Sequence, residues 1–199
     1  MDRMTIDRNG LVVVLLLMGV ASAGRSQALR MGLQLTISQP QGDLGAEDLL
    51  DHKLGFGVGA NLQIPMGRGI ALVPRIDYTL YSREDSTGVY GVSQTAKLKF
   101  NVFSGGADFN YYPGGTLNQG FYGLLGLGYS SANYQFDVDG AWHLSDRETK
   151  RSVYAAAGLG VCYSRRLSFE LRYLGVNAYT FAAREVSGPS LNISILFRD

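Results

Sequence analysis

Cysteine is almost missing from this chain. The single Cys162 excludes an internal disulfide. Catalysis by its thiol would need a nearby base, and the only histidines, His52 and His143, are far away in sequence. A small filler on an inward strand face is its expected role. Surplus charge is missing too: a formal net charge of +1 gives no bulk attraction to nucleic acid or to acidic partners. Long hydrophobic runs are also lacking. The longest, residues 11–18, lies in an apolar stretch of roughly ten residues, against the ~20 that a membrane helix needs. If this protein lives in a membrane, it must cross with strands.

That short run has another use. Arg3 and Arg8 precede it, and Ala21-Ser22-Ala23 follows as a small-x-small cleavage site. Residues 1–23 therefore read as an export signal, with Ser26-Gln27-Ala28 as a later candidate that moves the cut to 28. No cysteine stands at the cleavage region, so the signal is not of the lipoprotein type. Residues 29–199 remain as one domain.

What the chain has in plenty is glycine and tyrosine, 26 and 12 residues. The glycine share is about twice the usual one. Eight stretches alternate apolar and polar residues with the period of two that marks a strand. They cover residues 29–38, 54–64, 70–81, 97–112, 121–131, 152–164, 167–173 and 190–198. In Leu167-Ser168-Phe169-Glu170-Leu171-Arg172-Tyr173, one face is greasy and the other carries opposed charges. Residues 72–80 repeat this, with Arg75 and Asp77 on the polar face. In the fourth stretch Leu98, Phe100 and Val102 give way to Ala107, Phe109 and Tyr111, so a β-bulge is expected at Gly105-Gly106.

Short and long connections alternate strictly. Residues 65–69, 113–120 and 165–166 are short turns; residues 39–53, 82–96, 132–151 and 174–189 are long, polar and charged. Strands of about ten residues, short turns at one end and long loops at the other are the marks of a membrane barrel. The expected fold is therefore all-β: an eight-stranded antiparallel up-and-down transmembrane β-barrel with short periplasmic turns and long extracellular loops. Lipid offers no hydrogen bonds, so the sheet must close. Aromatics near strand ends (Tyr78, Tyr81, Tyr111, Tyr112, Phe121, Tyr129, Tyr163, Tyr173) suit interfacial girdles. Arg75, Asp77, Glu170 and Arg172 are expected to form a paired network inside the barrel, joined by Lys99, Asp108 and Arg198.

Arg75-Ile76-Asp77-Tyr78, the run Tyr122-Gly123-Leu124-Leu125-Gly126-Leu127-Gly128-Tyr129, Phe169-Glu170-Leu171-Arg172-Tyr173 and the closing strand carry a resemblance. The chain resembles the small eight-stranded outer-membrane β-barrels of OmpA-like and OmpX-like type. The resemblance implies the outer membrane of a Gram-negative bacterium, export by the general secretory route, and contact with outer-membrane lipid and lipopolysaccharide. It also implies that the barrel-assembly machinery reads the last strand, here through Ile195 and Phe197, although Arg198-Asp199 follows where the family usually ends on an aromatic. A non-enzymatic role at the surface follows: envelope integrity, adhesion or resistance, exerted through loops. Tyr90, Tyr134, Phe136, Trp142, Tyr179 and Phe181 are the loop residues expected to touch an extracellular ligand. Neither cofactor nor metal is expected. Asp137-Val138-Asp139-Gly140 lacks the remaining ligands of a calcium loop.

Three other readings compete. His143-Leu144-Ser145 resembles the His-x-Ser of outer-membrane lipid A deacylases, which would make His143 a base and Ser145 a nucleophile. The pair falls in the longest polar loop, not on a strand. A soluble lipocalin-like barrel would bind a hydrophobic ligand inside, but would solvate its outer face, and the polar faces here carry glycines. A small porin-like pore would need an interior that is not filled.

Overall fold

The computed structural model of the chain describes residues 29–46, 50–89, 92–117, 119–139, 144–176, 179–181 and 184–199. The proposed export signal lies outside them. Eight antiparallel strands form a closed barrel: β1 (Arg30–Pro40), β2 (Gly55–Gly67), β3 (Ile70–Val89), β4 (Val92–Tyr111), β5 (Gly120–Asp139), β6 (Leu144–Cys162), β7 (Leu167–Val176) and β10 (Ser190–Arg198). Two short strands, β8 (Tyr179–Phe181) and β9 (Arg184–Val186), make a hairpin between β7 and β10. Each barrel strand pairs with its neighbours in sequence, and β1 pairs with β10 to close the sheet, Leu35 opposite Ile195.

The outer face is the apolar one. Met31, Leu33, Phe56, Val58, Ile76, Phe109, Leu125, Leu127, Leu159, Leu171 and Ile193 all point outward, Met31 73% and Leu127 71% exposed. A soluble barrel places such residues inside. Tyr78, Tyr111, Phe121, Tyr129, Tyr163 and Tyr173 lie on this face. Tyr81 and Tyr112, expected in the same girdles, instead point inward and are buried.

Two corrections concern β4. It pairs with β3 and β5 without a register shift at Gly105-Gly106, so no bulge exists there. Leu98, Phe100 and Val102 face the interior, and Phe103, Phe109 and Tyr111 face out. What changes along β4 is the chemistry of the interior, which turns apolar toward the extracellular end. Among the described residues the register shifts between Pro65 and Gly67, next to the β2–β3 turn. That turn closes through Gly69, whose φ of +72° favours a residue without a side chain. The third correction concerns the long connections. Much of 82–96 and 132–151 is strand: β3 to β6 run 19 or 20 residues, against 9 to 13 for β1, β2, β7 and β10. Their polar composition concealed these extensions, because it carries no apolar alternation to mark a strand.

Lipid contact predicts an asymmetric response to charge. Leu127→Arg puts a cation on the outer face at mid-strand. Urea titration in phospholipid vesicles is expected to show a loss of about 2–4 kcal/mol. Ser131→Arg, on the same face of β5 but further toward the extracellular end, is expected to be near neutral.

Candidate functional site: the barrel interior and its extracellular mouth

Eight strands enclose a space that side chains can fill, and here they fill it in three layers. At the periplasmic end Ala71, Val73, Tyr112, Tyr122, Leu124 and Cys162 pack together, with Leu117 against them. The Tyr112 and Tyr122 rings lie 4.9 Å apart at 31°. Cys162 is a buried filler accepting a hydrogen bond from Ser168 Oγ at 3.3 Å.

The middle layer is charged. Arg75 Nη1 and Nη2 donate to the two carboxylate oxygens of Glu170 at 2.9 and 3.3 Å, and Arg75 Nε lies 3.1 Å from Asp108 Oδ2. Arg172 Nη2 donates to Asp108 Oδ1 at 2.9 Å, and its Nη1 stands 3.6 Å from Asp77 Oδ2. Tyr122 Oη donates to Glu170 at 3.0 Å, Gln34 Nε2 to Asp77 at 2.5 Å, and the Arg172 guanidinium sits over the Tyr154 ring. The four expected residues Arg75, Asp77, Glu170 and Arg172 thus meet, and Asp108 ties the two arginines together. Lys99 is not part of it, because its side chain is exposed on the outer face of β4. Arg198 sits at the periplasmic side, near Ser168 Oγ and Cys162 Sγ at 3.4 and 4.0 Å. Tyr122, Tyr154 and Gln34 are contributors the sequence reading missed.

Glycine makes room for this layer. Across the strand pairs, Asp77 stands opposite Gly59, Arg75 opposite Gly106, Asp108 opposite Gly126, Glu170 opposite Gly160 and Arg172 opposite Gly158. A Cβ at Gly59 or Gly126 would overlap the neighbouring carboxylate, and one at Gly160 would overlap the Tyr122 ring. The signal was present in the sequence as inward-facing glycines in register with the charges, but register is set by turns and closure, which composition does not show.

Toward the extracellular mouth the interior is apolar again: Tyr81, Leu98, Phe100, Ala132, Tyr154, Ala156, Leu174 and Val176. Leu44 and Leu50 from the first connection and Tyr179 from β8 complete this plug. Tyr179, expected as a surface contact, is only 1% exposed. It packs on Phe100 with ring centroids 6.3 Å apart, and its Oη lies 2.6 Å from Ser130 Oγ. Burial pushes its phenol up to about 12, so it remains protonated and able to donate. Tyr134 packs against the same plug. The two capping segments are latched together: Ser187 N and Oγ donate to Asp43 Oδ2 at 3.0 and 2.8 Å, and Leu44 N donates to Ser187 O. Tyr90, Trp142 and His143 lie outside the described residues. Phe136, Ser145 and Phe181 are placed by their backbones, Ser145 opposite Asp137 in the β5–β6 ribbon. Ile195 and Phe197 face outward near the end of β10.

A closed barrel that is apolar outside, charged at its centre and plugged at both ends is built as an outer-membrane protein. The chain belongs to the family of the outer membrane protein beta-barrel domain, which matches residues 10–198. Membership places it in a Gram-negative outer membrane. Among solved structures it is similar to Ail, the attachment invasion locus protein of Yersinia pestis, crystallised with the heparin analogue sucrose octasulfate. The identity is 15% and the TM-score 0.55, over 86% of this chain and 97% of that one. It is similar to Neisserial surface protein A at 13% identity and TM-score 0.52, covering 85% and 95%. It is also similar to the N-terminal β-barrel domain of Pseudomonas aeruginosa OprF at 12% and 0.50, covering 84% and 97%. At such identities the shared property is the fold. No curated protein matches the chain by sequence.

The glycine register yields a paired test. Gly126→Ala drives a methyl into Asp108 and is expected to lower stability in vesicles by about 1–3 kcal/mol. At Gly123, three residues away on the outer face, a Cβ meets nothing within 4 Å. Gly123→Ala is expected to leave the urea midpoint unchanged.

Proposed function

We propose that this protein is a non-enzymatic surface barrel whose extracellular ribbons contact molecules outside the cell. The observation that supports this reading is the unequal height of the wall. β3 to β6 are about six to eleven residues longer than the other barrel strands, roughly 20–35 Å measured along the chain. The result is a four-stranded sheet standing on one side of a capped barrel. Among the described residues the ladder of β3 with β2 stops at Leu80 and that of β6 with β7 begins at Tyr154, and β8 lies against β6. A sheet raised above the rest of the wall offers strand surface to which another chain or a polar ligand can add.

Tyr90 stands in sequence between β3 and β4 and Trp142 between β5 and β6, Phe136 lies in the β5–β6 ribbon opposite Asp146, and Phe181 is in the small hairpin. Tyr134 and Tyr179 serve the plug instead. The similarity to Ail makes a heparin-like sulfated glycan the first ligand to try. A charged layer locked in mutual pairs between two apolar plugs serves as a structural core, and it supports neither a pore nor lipid chemistry. Export through residues 1–23 and reading of Ile195 and Phe197 by the barrel-assembly machinery complete the proposal, with lipid and lipopolysaccharide around the barrel.

Replacing 84–95 and 137–146 by short turns tests it. The trimmed protein is expected to fold, migrating faster unboiled than boiled, and to lose binding to heparin and to matrix proteins that the intact protein binds in nanodiscs. Equal binding by both, or none by the intact protein above empty nanodiscs, would overturn the reading.

A further inference from the structure

The two ends of the barrel carry charge differently. Residues 29–32, 64–70, 111–121, 163–167 and 197–199 make the periplasmic end, and they hold five arginines, one acid and no lysine. At the extracellular end both signs mix, as in Arg83-Glu84-Asp85 and Asp146-Arg147-Glu148. Of the five arginines Arg198 is buried in the lumen. Arg68, Arg165 and Arg166 are exposed, and Arg30 is half-buried. Among the described residues none of these four belongs to an ion pair. The one acid, Asp199, is exposed beside them and leaves the positive charge in excess.

Three of the four meet at one place. Arg30 Nη1 donates to Arg165 O at 3.2 Å, which brings the start of β1 to the β6–β7 turn. The end of β10 runs between them: Arg198 N donates to Arg166 O at 2.8 Å, and Asp199 N to Met31 O at 3.0 Å. The turn is closed by its own hydrogen bonds. Tyr163 N and Ser164 N donate to Leu167 O, and Ser164 Oγ accepts from Arg166 N and Leu167 N. The guanidiniums of Arg165 and Arg166 are therefore not spent on holding it. Next to this cluster the outer wall is apolar, with Met31, Leu33, Tyr163, Phe169 and Phe197 all pointing outward. Met31 follows Arg30, and Tyr163, 78% exposed, stands two residues before Arg165. Aromatic rings at the rim of a membrane barrel mark headgroup depth. The three arginines thus sit at the headgroups of the periplasmic leaflet, with hydrocarbon beginning beside them.

We propose that Arg30, Arg165 and Arg166 bind an anionic phospholipid of the periplasmic leaflet, its phosphate against the guanidiniums and its acyl chains along Met31, Leu33, Phe169 and Phe197. A guanidinium is weakly hydrated and presents a planar fork that matches phosphate oxygens. Unpaired positive charge favours a headgroup of net negative charge over a zwitterionic one, whose own ammonium offsets its phosphate. A soluble polyanion or the cell wall would satisfy the arginines and leave the apolar wall beside them unused, whereas a phospholipid satisfies both. The site lies at the opposite end from the extracellular ribbons, so it stands whether or not they bind a ligand.

The test is native mass spectrometry of the refolded protein in a neutral detergent, with phosphatidylglycerol and phosphatidylcholine added at equal concentration. Folding of each variant is checked by faster migration unboiled than boiled. The wild type is expected to carry one phosphatidylglycerol about fivefold more often than one phosphatidylcholine. Arg30→Gln/Arg165→Gln/Arg166→Gln is expected to bring the two lipids within about twofold of each other. Lys99→Gln/Arg151→Gln, which removes exposed cations from the extracellular half of the outer face, is expected to keep the preference. If the triple variant does not refold, Arg165→Gln and Arg166→Gln singly carry the test, each expected to lower the phosphatidylglycerol preference about twofold. Equal binding of both lipids by the wild type would overturn the proposal, and retention of that protein on purified peptidoglycan would give the arginines to the cell wall instead. A preference that survives the triple change and is lost in Lys99→Gln/Arg151→Gln would overturn it as well, by placing the lipid at the other end.

Discussion

Everything inside this barrel is arranged around the guanidinium of Arg75. It is buried, it lies within reach of two carboxylates, and those carboxylates come from strands on other parts of the wall: Glu170 on β7 and Asp108 on β4. One side chain thereby ties β3 to its neighbour and, across the lumen, to a strand nearly a hundred residues away in sequence. Asp108 passes the connection to Arg172, and Arg172 passes it to Asp77. Buried charges are tolerated only when paired and hydrogen-bonded, and breaking such a pair costs far more than forming it gains. The network therefore acts chiefly to specify one closed shape and one register.

The layers above and below follow from that constraint. Charge pairs are strong only where water is scarce. Tyr112 and Tyr122 with their neighbours close the periplasmic side; Phe100, Tyr154 and Tyr179, with Leu44 and Leu50 from the first connection, close the other. Glycines on the facing strands leave the volume that long charged side chains need. The outer surface around this layer is correspondingly apolar, since Arg75, Asp77, Asp108, Glu170 and Arg172 all point inward. With the mouth capped, the tall β3–β6 sheet is the part of the molecule to which the proposed surface role falls.

Much of this was legible in the sequence. Period-two alternation located all eight barrel strands, and the greasy face of 167–173 pointed outward as expected. Arg75, Asp77, Glu170 and Arg172 could be grouped because like positions on two strands carried opposed charges. The limits have physical causes. Leu98, Phe100 and Val102 suggested a switch of face because hydrophobicity marks a residue as away from water, and here both lipid and the upper lumen are away from water. Tyr81, Tyr112 and Tyr179 were misplaced for the same reason. The strand extensions in 82–96 and 132–151 were hidden because their polar residues carry no apolar period of two. Lys99 shared the period of its strand but not the expected face, since the assumed bulge at Gly105-Gly106 had inverted that segment. The placing of glycines opposite the charges depends on register, which no single strand encodes.

The most direct measurement is a double-mutant cycle on Arg75→Met and Glu170→Met, by reversible urea unfolding in phospholipid vesicles. If the pair organises the core, each single change costs about 3–5 kcal/mol and the double change costs clearly less than their sum, because no unpaired charge of that pair remains. Single costs that add to within about 0.5 kcal/mol would show that the two residues act independently and contradict the account.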